Sequence, residues 1–374
     1  MITETRNNVV PNERNSAHIL HVPQADSFPM RQTLSRFAPD TFTMLLVATV
    51  MLASFAPPSA AFEMPVKIAT DVAIAFMFFL YGARLATSNV IAGLAHWRLH
   101  ALVLASTFVM FPLVGLLLFH CLPQWLVPGP LALGMLYLCL LPSTIQSSLA
   151  FTSIAGGNVP AAMCSATLSS LVGTVATPLF VGIFASARGG APTGDAITEI
   201  GLLLVAPLLA GQVLRPWIGE FVLRHKAILS ATDRGSILLV VYGAFGHAVS
   251  AGLWHVLPVS GFAIMVVIEA MVLAFMLFAT HFAAKTLGFN REDTIAIVFC
   301  GSKKSLAAGV PMAGVLFPGP DLGMILLPTM LFHQMQLMVC AVLARRWAQE
   351  VKAEAESEAT RAVAPPLGAM ASAR

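Results

Sequence analysis

Hydrophobic positions in this chain come in long, nearly unbroken runs. Ten of them stand near residues 39–57, 65–86, 99–121, 129–153, 158–186, 197–215, 235–252, 257–285, 293–317 and 321–345. Pro, Gly and charged residues punctuate the gaps, as breakers between helices do. Each run is about as long as an α-helix must be to cross the hydrocarbon core of a bilayer. The pattern predicts an all-α polytopic membrane protein with ten transmembrane helices. Residues 1–38 are polar, rich in Asn, Arg, Pro and Ser, and lack helical periodicity, which predicts a cytosolic disordered arm. Residues 187–196 read as a linker, and 346–374 as a cytosolic tail that begins as a short helical extension and frays.

Composition strengthens the membrane reading. Of 374 residues 57% are hydrophobic and only 10% charged, with mean hydropathy +0.81; soluble domains carry about 25% charged residues. The net charge of +3 is small and no basic run alternates with aromatics, so nucleic acid is not an expected partner. The five cysteines, at 121, 139, 164, 300 and 340, have neither disulfide-like nor zinc-like spacing. No cleavable signal pattern precedes the first apolar run. Charge does fix an orientation. Seventeen of the 21 Lys and Arg residues fall in the arm, the tail and alternate gaps, on one side of a ten-span layout. By the positive-inside rule both termini are cytoplasmic and the protein is integral to the cell membrane.

An internal repeat emerges from the fourth and ninth runs. Gln146-Ser147-Ser148-Leu149-Ala150 aligns with Lys303-Lys304-Ser305-Leu306-Ala307 at an offset of 157 residues. The same offset carries the starts of runs one, three and five to 196, 256 and 315, against 197, 257 and 321 read independently. Run two maps more loosely, to 222 against 235. Five spans per repeat is an odd number, so residues 39–186 and 197–345 would insert with opposite topology. Inverted repeats with paired broken helices are a design of secondary transporters.

The candidate chemistry lies in those two runs. Lys303 and Lys304 sit mid-span, where a lysine costs roughly 2.5–3.5 kcal/mol even on lenient insertion scales. Gly301, Gly309 and Pro311 flank them, so a broken helix is expected. In run four, Pro142 precedes Ser143, Thr144, Gln146, Ser147 and Ser148, and Asn158 follows. A single hydroxyl of this kind usually bonds back to its own helix. The block as a whole, with Ser302, Lys303, Lys304 and Ser305, predicts a substrate or ion site where helices four and nine cross. Gln334 or Gln336 of run ten would face it. Glu269 and Asp71 are the deepest carboxylates and the candidate charge partners or proton carriers, since membrane carboxylates usually pair. Glu199 near a helix start would favour that terminus. His120, His247 and His281 share no ligand spacing.

The Pro142–Asn158 and Cys300–Pro311 stretches resemble the SBF-like subgroup of the bile acid:sodium symporter superfamily, over about residues 39–345. The resemblance implies ten helices in two inverted five-helix repeats. Helices one, two, six and seven would form a panel and the other six a core, with helices four and nine broken where they cross. It implies secondary transport of a small organic anion, no organic cofactor, and sodium or a proton as coupling ion. In the sodium-coupled members the broken ninth helix supplies a glutamate and a glutamine to the sodium sites. Here Cys300–Lys304 offers no carboxylate, and Lys303 falls about at the glutamine position. A tethered ammonium at Lys303 replacing one sodium ion is therefore expected.

Two other function classes fit parts of this pattern. A regulator or sensor could keep the same fold without transporting. An intramembrane hydrolase could pair Ser302 or Ser305 with a neighbouring lysine, although no oxyanion-hole signature accompanies them. No nucleotide-binding loop is present, so direct ATP drive is not expected.

Overall fold

The computed structural model describes residues 41–84, 96–123, 125–185, 204–250, 252 and 259–363, and every regular element among them is a helix. The arm 1–38, the linker 187–196, Glu199 and residues 364–374 lie outside the described residues. In chain order the helices are α1 (Thr41–Phe55), α2 (Ala60–Arg84), α3 (Trp97–Ala105), α4 (Phe111–Cys121), α5 (Gly129–Leu140), α6 (Gln146–Ile154) and α7 (Val159–Ala185). There follow α8 (Ala206–Arg224), α9 (Lys226–Ser250), α10 (Val259–Thr286), α11 (Arg291–Gly301), α12 (Leu306–Leu316) and α13 (Leu322–Val363). A π turn over Ser106–Met110 joins α3 to α4 in one rod.

Among the described residues, six segments are long and apolar enough to cross a membrane. They are Met64–Ala83, Trp97–Cys121, Val159–Phe184, Ser260–Thr286, Arg291–Leu316 and Leu322–Glu350. Thr41–Phe55 and Gly129–Leu140 are shorter apolar helices. Arg291–Leu316, which contains the lysine pair, is 94% buried, whereas the other five are 28–44% buried. Its neighbours are protein on all sides, so it is the segment around which the others pack.

Local chemistry explains several boundaries. Asn290 caps α11 by accepting from the Asp293 amide at 2.7 Å, with Glu292 and Asp293 favourably placed in the first turn. Ser305 caps α12 through the Ala308 amide, and Asn158 caps α7 through the Ala161 amide. One boundary differs markedly from the sequence expectation. The charged gap after residue 215 is helical: α8 runs on to Arg224, and only His225 separates it from α9. Arg224 pairs with Glu220 one turn back, on the exposed side. Val222 and Leu229 are buried against Leu80 and Ala83. Amphipathic helix, not loop, accounts for a stretch that charge alone marks as a gap. At the other end, α13 continues unbroken well past residue 345, to Val363.

Helix packing falls into two neighbourhoods. α2 lies against α8, and α9 against α1 and α2. Gly82 and Gly211 make the closest contact, each backbone meeting a carbonyl of the facing helix where a Cβ would collide. Elsewhere α5 packs on α4 and α13, while α11 touches α3, α6, α7 and α10. α9 also contacts α12 and α13, so it borders both neighbourhoods.

Candidate functional site at two helix breaks

The site begins with two prolines that withhold amide hydrogens. α5 ends at Leu140 because Pro142 cannot continue the hydrogen-bond ladder. The carbonyls of Cys139, Leu140, Leu141 and Pro142 then need donors from outside the helix. Thr177 Oγ1 donates to Leu140 at 2.8 Å, and the Ser305 amide donates to Pro142 at 2.9 Å. In the π turn the Phe111 amide bonds Ser106, and the next residue, Pro112, has no amide hydrogen to offer Thr107. The Thr107 carbonyl is thereby released as well.

Lys304 collects three of these carbonyls. Its Nζ donates to Thr107 at 3.0 Å, Cys139 at 2.9 Å and Leu141 at 2.6 Å, and sits 4.0 Å from the centre of the Phe111 ring. An ammonium has three donors, and all three are used. The side chain is 1% exposed. Its backbone is held with equal care. The Lys304 amide donates to Gln336 Oε1, and Gln336 Nε2 donates to the Lys304 carbonyl, both at 2.8 Å. Of the two glutamines expected here, Gln336 is therefore the one at the break. Gln334 faces α1, accepting from the Thr43 hydroxyl at 2.9 Å.

Lys303 is equally buried but differently surrounded. It donates to Ser147 Oγ at 3.2 Å and lies over the rings of Phe151, at 4.5 Å, and Phe299, at 5.7 Å. Aromatic faces attract a cation but take no directed hydrogen bond. Sequence reasoning missed this cage, although Phe151 follows Ser147 by one helical turn and Phe299 precedes Lys303 by four residues. The same reasoning missed Phe111 and Thr107, whose backbone carbonyl serves the break while its hydroxyl bonds back to Val103.

The remaining expected residues divide. Ser143 Oγ donates to Cys300 at 2.5 Å and Ser148 Oγ to Phe299 at 2.8 Å, both buried, tying the two breaks together. Thr144 is buried and accepts weakly from Ser147 at 3.4 Å. Gln146 is exposed at the start of α6 and the break does not draw it in. Asn158 lies at the far end of α11, bonded to Asp293 at 2.8 Å. Eight residues of helix, about 12 Å, separate Asp293 from Gly301. Its part is capping rather than lining the break.

The carboxylates do not neutralise the lysines. Asp71 pairs with Lys67 at 3.0 Å on a half-exposed helix face, a local pair one turn apart. Glu269 is buried and neither of its oxygens has a hydrogen-bond partner; it forms no ion pair among the described residues. The Ser–Lys dyad is not assembled either. Ser302 Oγ donates to its own helix at Val298, and Ser305 Oγ is spent as a cap.

A sequence profile of the SBF-like CPA transporter family matches residues 40–349. The chain belongs to that family. Among related proteins, PA2026 of Pseudomonas aeruginosa is 54% identical over 317 residues, covering 84% of this chain and 94% of its own. "Putative symporter YfeH" of Escherichia coli is 48% identical over 326 residues, covering 86% and 98%. Sodium/bile acid cotransporter 7 of Rattus norvegicus is 28% identical over 320 residues, covering 83% and 93%. The protein is thus an integral membrane member of a transporter family and not an enzyme. Among the described residues no three His, Cys, Asp or Glu side chains converge. The carbonyls that do converge at the break are held by Lys304.

Proposed function

We propose that this protein is a secondary active transporter of a small organic anion, working by movement of a six-helix core against a four-helix panel. The panel would comprise α1, α2, α8 and α9, and the core the remaining helices. Residues 39–186 and 197–345 would be inverted repeats, with both termini on the cytoplasmic side of the cell membrane. The observation that carries this reading is the bonding between the two breaks. Ser143 bonds Cys300, its own counterpart at the 157-residue offset. Ser148 Oγ donates to the Phe299 carbonyl and the Ser305 amide donates to the Pro142 carbonyl, so the residue pairs, though not the donor atoms, exchange under the same offset. A two-fold relation between oppositely inserted halves produces such reciprocal bonds, and alternating access uses that relation.

A buried lysine pair without a paired carboxylate favours a negatively charged solute. We assign the solute's charge to Lys303, whose single oxygen partner leaves two donors for a ligand once the aromatic cage opens. Ser147, which Lys303 bonds, Thr144, which Ser147 bonds, and Ser302, next to Lys303 in sequence, would complete the lining. The sequence expectation gave Lys303 the part of a tethered sodium substitute; its contacts with ring faces suit that part less well than those of its neighbour.

Uptake by purified protein in liposomes, with sodium and pH gradients imposed separately and a panel of organic anions outside, tests the reading. At least one anion should accumulate, and Lys303→Ala should lower its uptake tenfold or more. Absence of flux for every anion under both gradients would overturn it.

A further inference from the structure

We propose that the Lys304 ammonium is the resident cation of a carbonyl cage between the π turn and the end of α5, so that this site takes no free alkali ion. The inference deepens the transport reading by specifying which ion the crossing does not use. Its physical basis is the source of the oxygens. Thr107 lacks a helix donor because Pro112 has no amide hydrogen, and Cys139 and Leu141 lack theirs because α5 stops before Pro142. Three carbonyl dipoles then converge at a buried point near a helix C-terminus, where partial negative charge accumulates. Carbonyls released at broken helices are the usual ligands of coupling cations in transporters, and rings of carbonyls can replace an ion's hydration shell.

The occupant here is Nζ of Lys304, at 2.6–3.0 Å from all three oxygens, with the Phe111 ring 4.0 Å away. Neither Asp71 nor Glu269 pairs with it. The ammonium brings the single positive charge that the dipoles favour and delivers it on a tether. Gln336 bonds the amide and carbonyl of Lys304 itself, which fixes the tether's root. Lys303 differs, having one hydroxyl partner at 3.2 Å. The cage thus distinguishes two adjacent lysines that the sequence presents as equals.

Truncating Lys304 should expose the cage to small cations. Purified wild-type protein and Lys304→Ala are compared by thermal unfolding in detergent, with sodium chloride titrated against choline chloride at constant ionic strength. Wild-type protein should show no sodium-specific shift. Lys304→Ala should show a saturable rise of at least about 2 °C with sodium, and a comparable rise with propylammonium, which restores the missing amine. A folded Lys304→Ala that ignores sodium, potassium, lithium and propylammonium overturns the proposal. So does saturable stabilisation of the wild type by sodium, an arm that stands even where the variant fails to fold. The readout is cation binding, so failure to find a transported anion leaves this result unmoved, and a failed cage leaves the transport reading intact.

Discussion

A buried ammonium is least costly when each of its hydrogens meets an oxygen, and Lys304 satisfies that condition at the expense of three helix carbonyls. Gln336 provides the most direct test at the residue scale. Gln336→Ala strips partners from a buried amide and a buried carbonyl. Each orphaned group costs about 1–3 kcal/mol, so the thermal midpoint of the purified protein should fall by several degrees. Gln334→Ala, which loses one bond to a hydroxyl of α1, should lower it much less. Equal effects would mean that the glutamine at the break is ordinary packing. Ser148→Ala removes one of the two bonds exchanged between the breaks. It should reduce transport more than expression, measured as uptake per unit of protein in the membrane.

At the scale of elements, prolines release the carbonyls and glycines make room for the result. Pro112→Ala restores an amide hydrogen that could reclaim the Thr107 carbonyl. Pro112 stands in the first turn of α4, where proline costs little, and reclaiming the Thr107 carbonyl would take one oxygen from the buried Lys304. The variant's thermal midpoint should therefore fall, and its uptake should drop fivefold or more. Full uptake would show that the π turn serves only packing. Gly173 of α7 lies directly against the Pro142 ring, where a Cβ would collide. Gly173→Val should cost about 1–3 kcal/mol by overpacking, seen as a lower thermal midpoint. Neither proline announces its effect in the hydrophobic pattern. The runs on either side remain apolar enough to look like uninterrupted spans, and only the proline itself marks the place.

On the scale of the whole molecule, α9 touches α12 and α13 and is the natural sliding surface for any movement of core against panel. A Cβ at Gly314 would lie 3.4 Å from Val240 Cγ1, so side chains at these two positions meet across the boundary. In a background without native cysteines, Val240→Cys with Gly314→Cys should cross-link under oxidation and abolish uptake. A reductant should restore it. Uptake that persists in the cross-linked protein would place the moving boundary elsewhere.

Much of this architecture could be read from the chain. Long apolar runs dictate helices because buried backbone in lipid must bond within its own segment. The apolar stretches of α3 to α4, α7, α10 and α13 were legible on that ground. So were the helix breaks at Pro142–Ser148 and Gly301–Ser305, since proline and glycine interrupt the hydrogen-bond ladder there. The amphipathic helix past residue 215 was not legible as helix, because its charges resemble a gap until Val222 and Leu229 are seen to pack on α2. Nor could the chain distinguish Lys303 from Lys304, or Gln334 from Gln336. Side chains so near in sequence share composition and periodicity. What separates them is which carbonyls and rings other helices bring within 3 to 5 Å. Hydrophobic burial decides which segments become helices, whereas directed bonds between segments distant in sequence decide what each buried polar group does, and those exist only once the chain has folded.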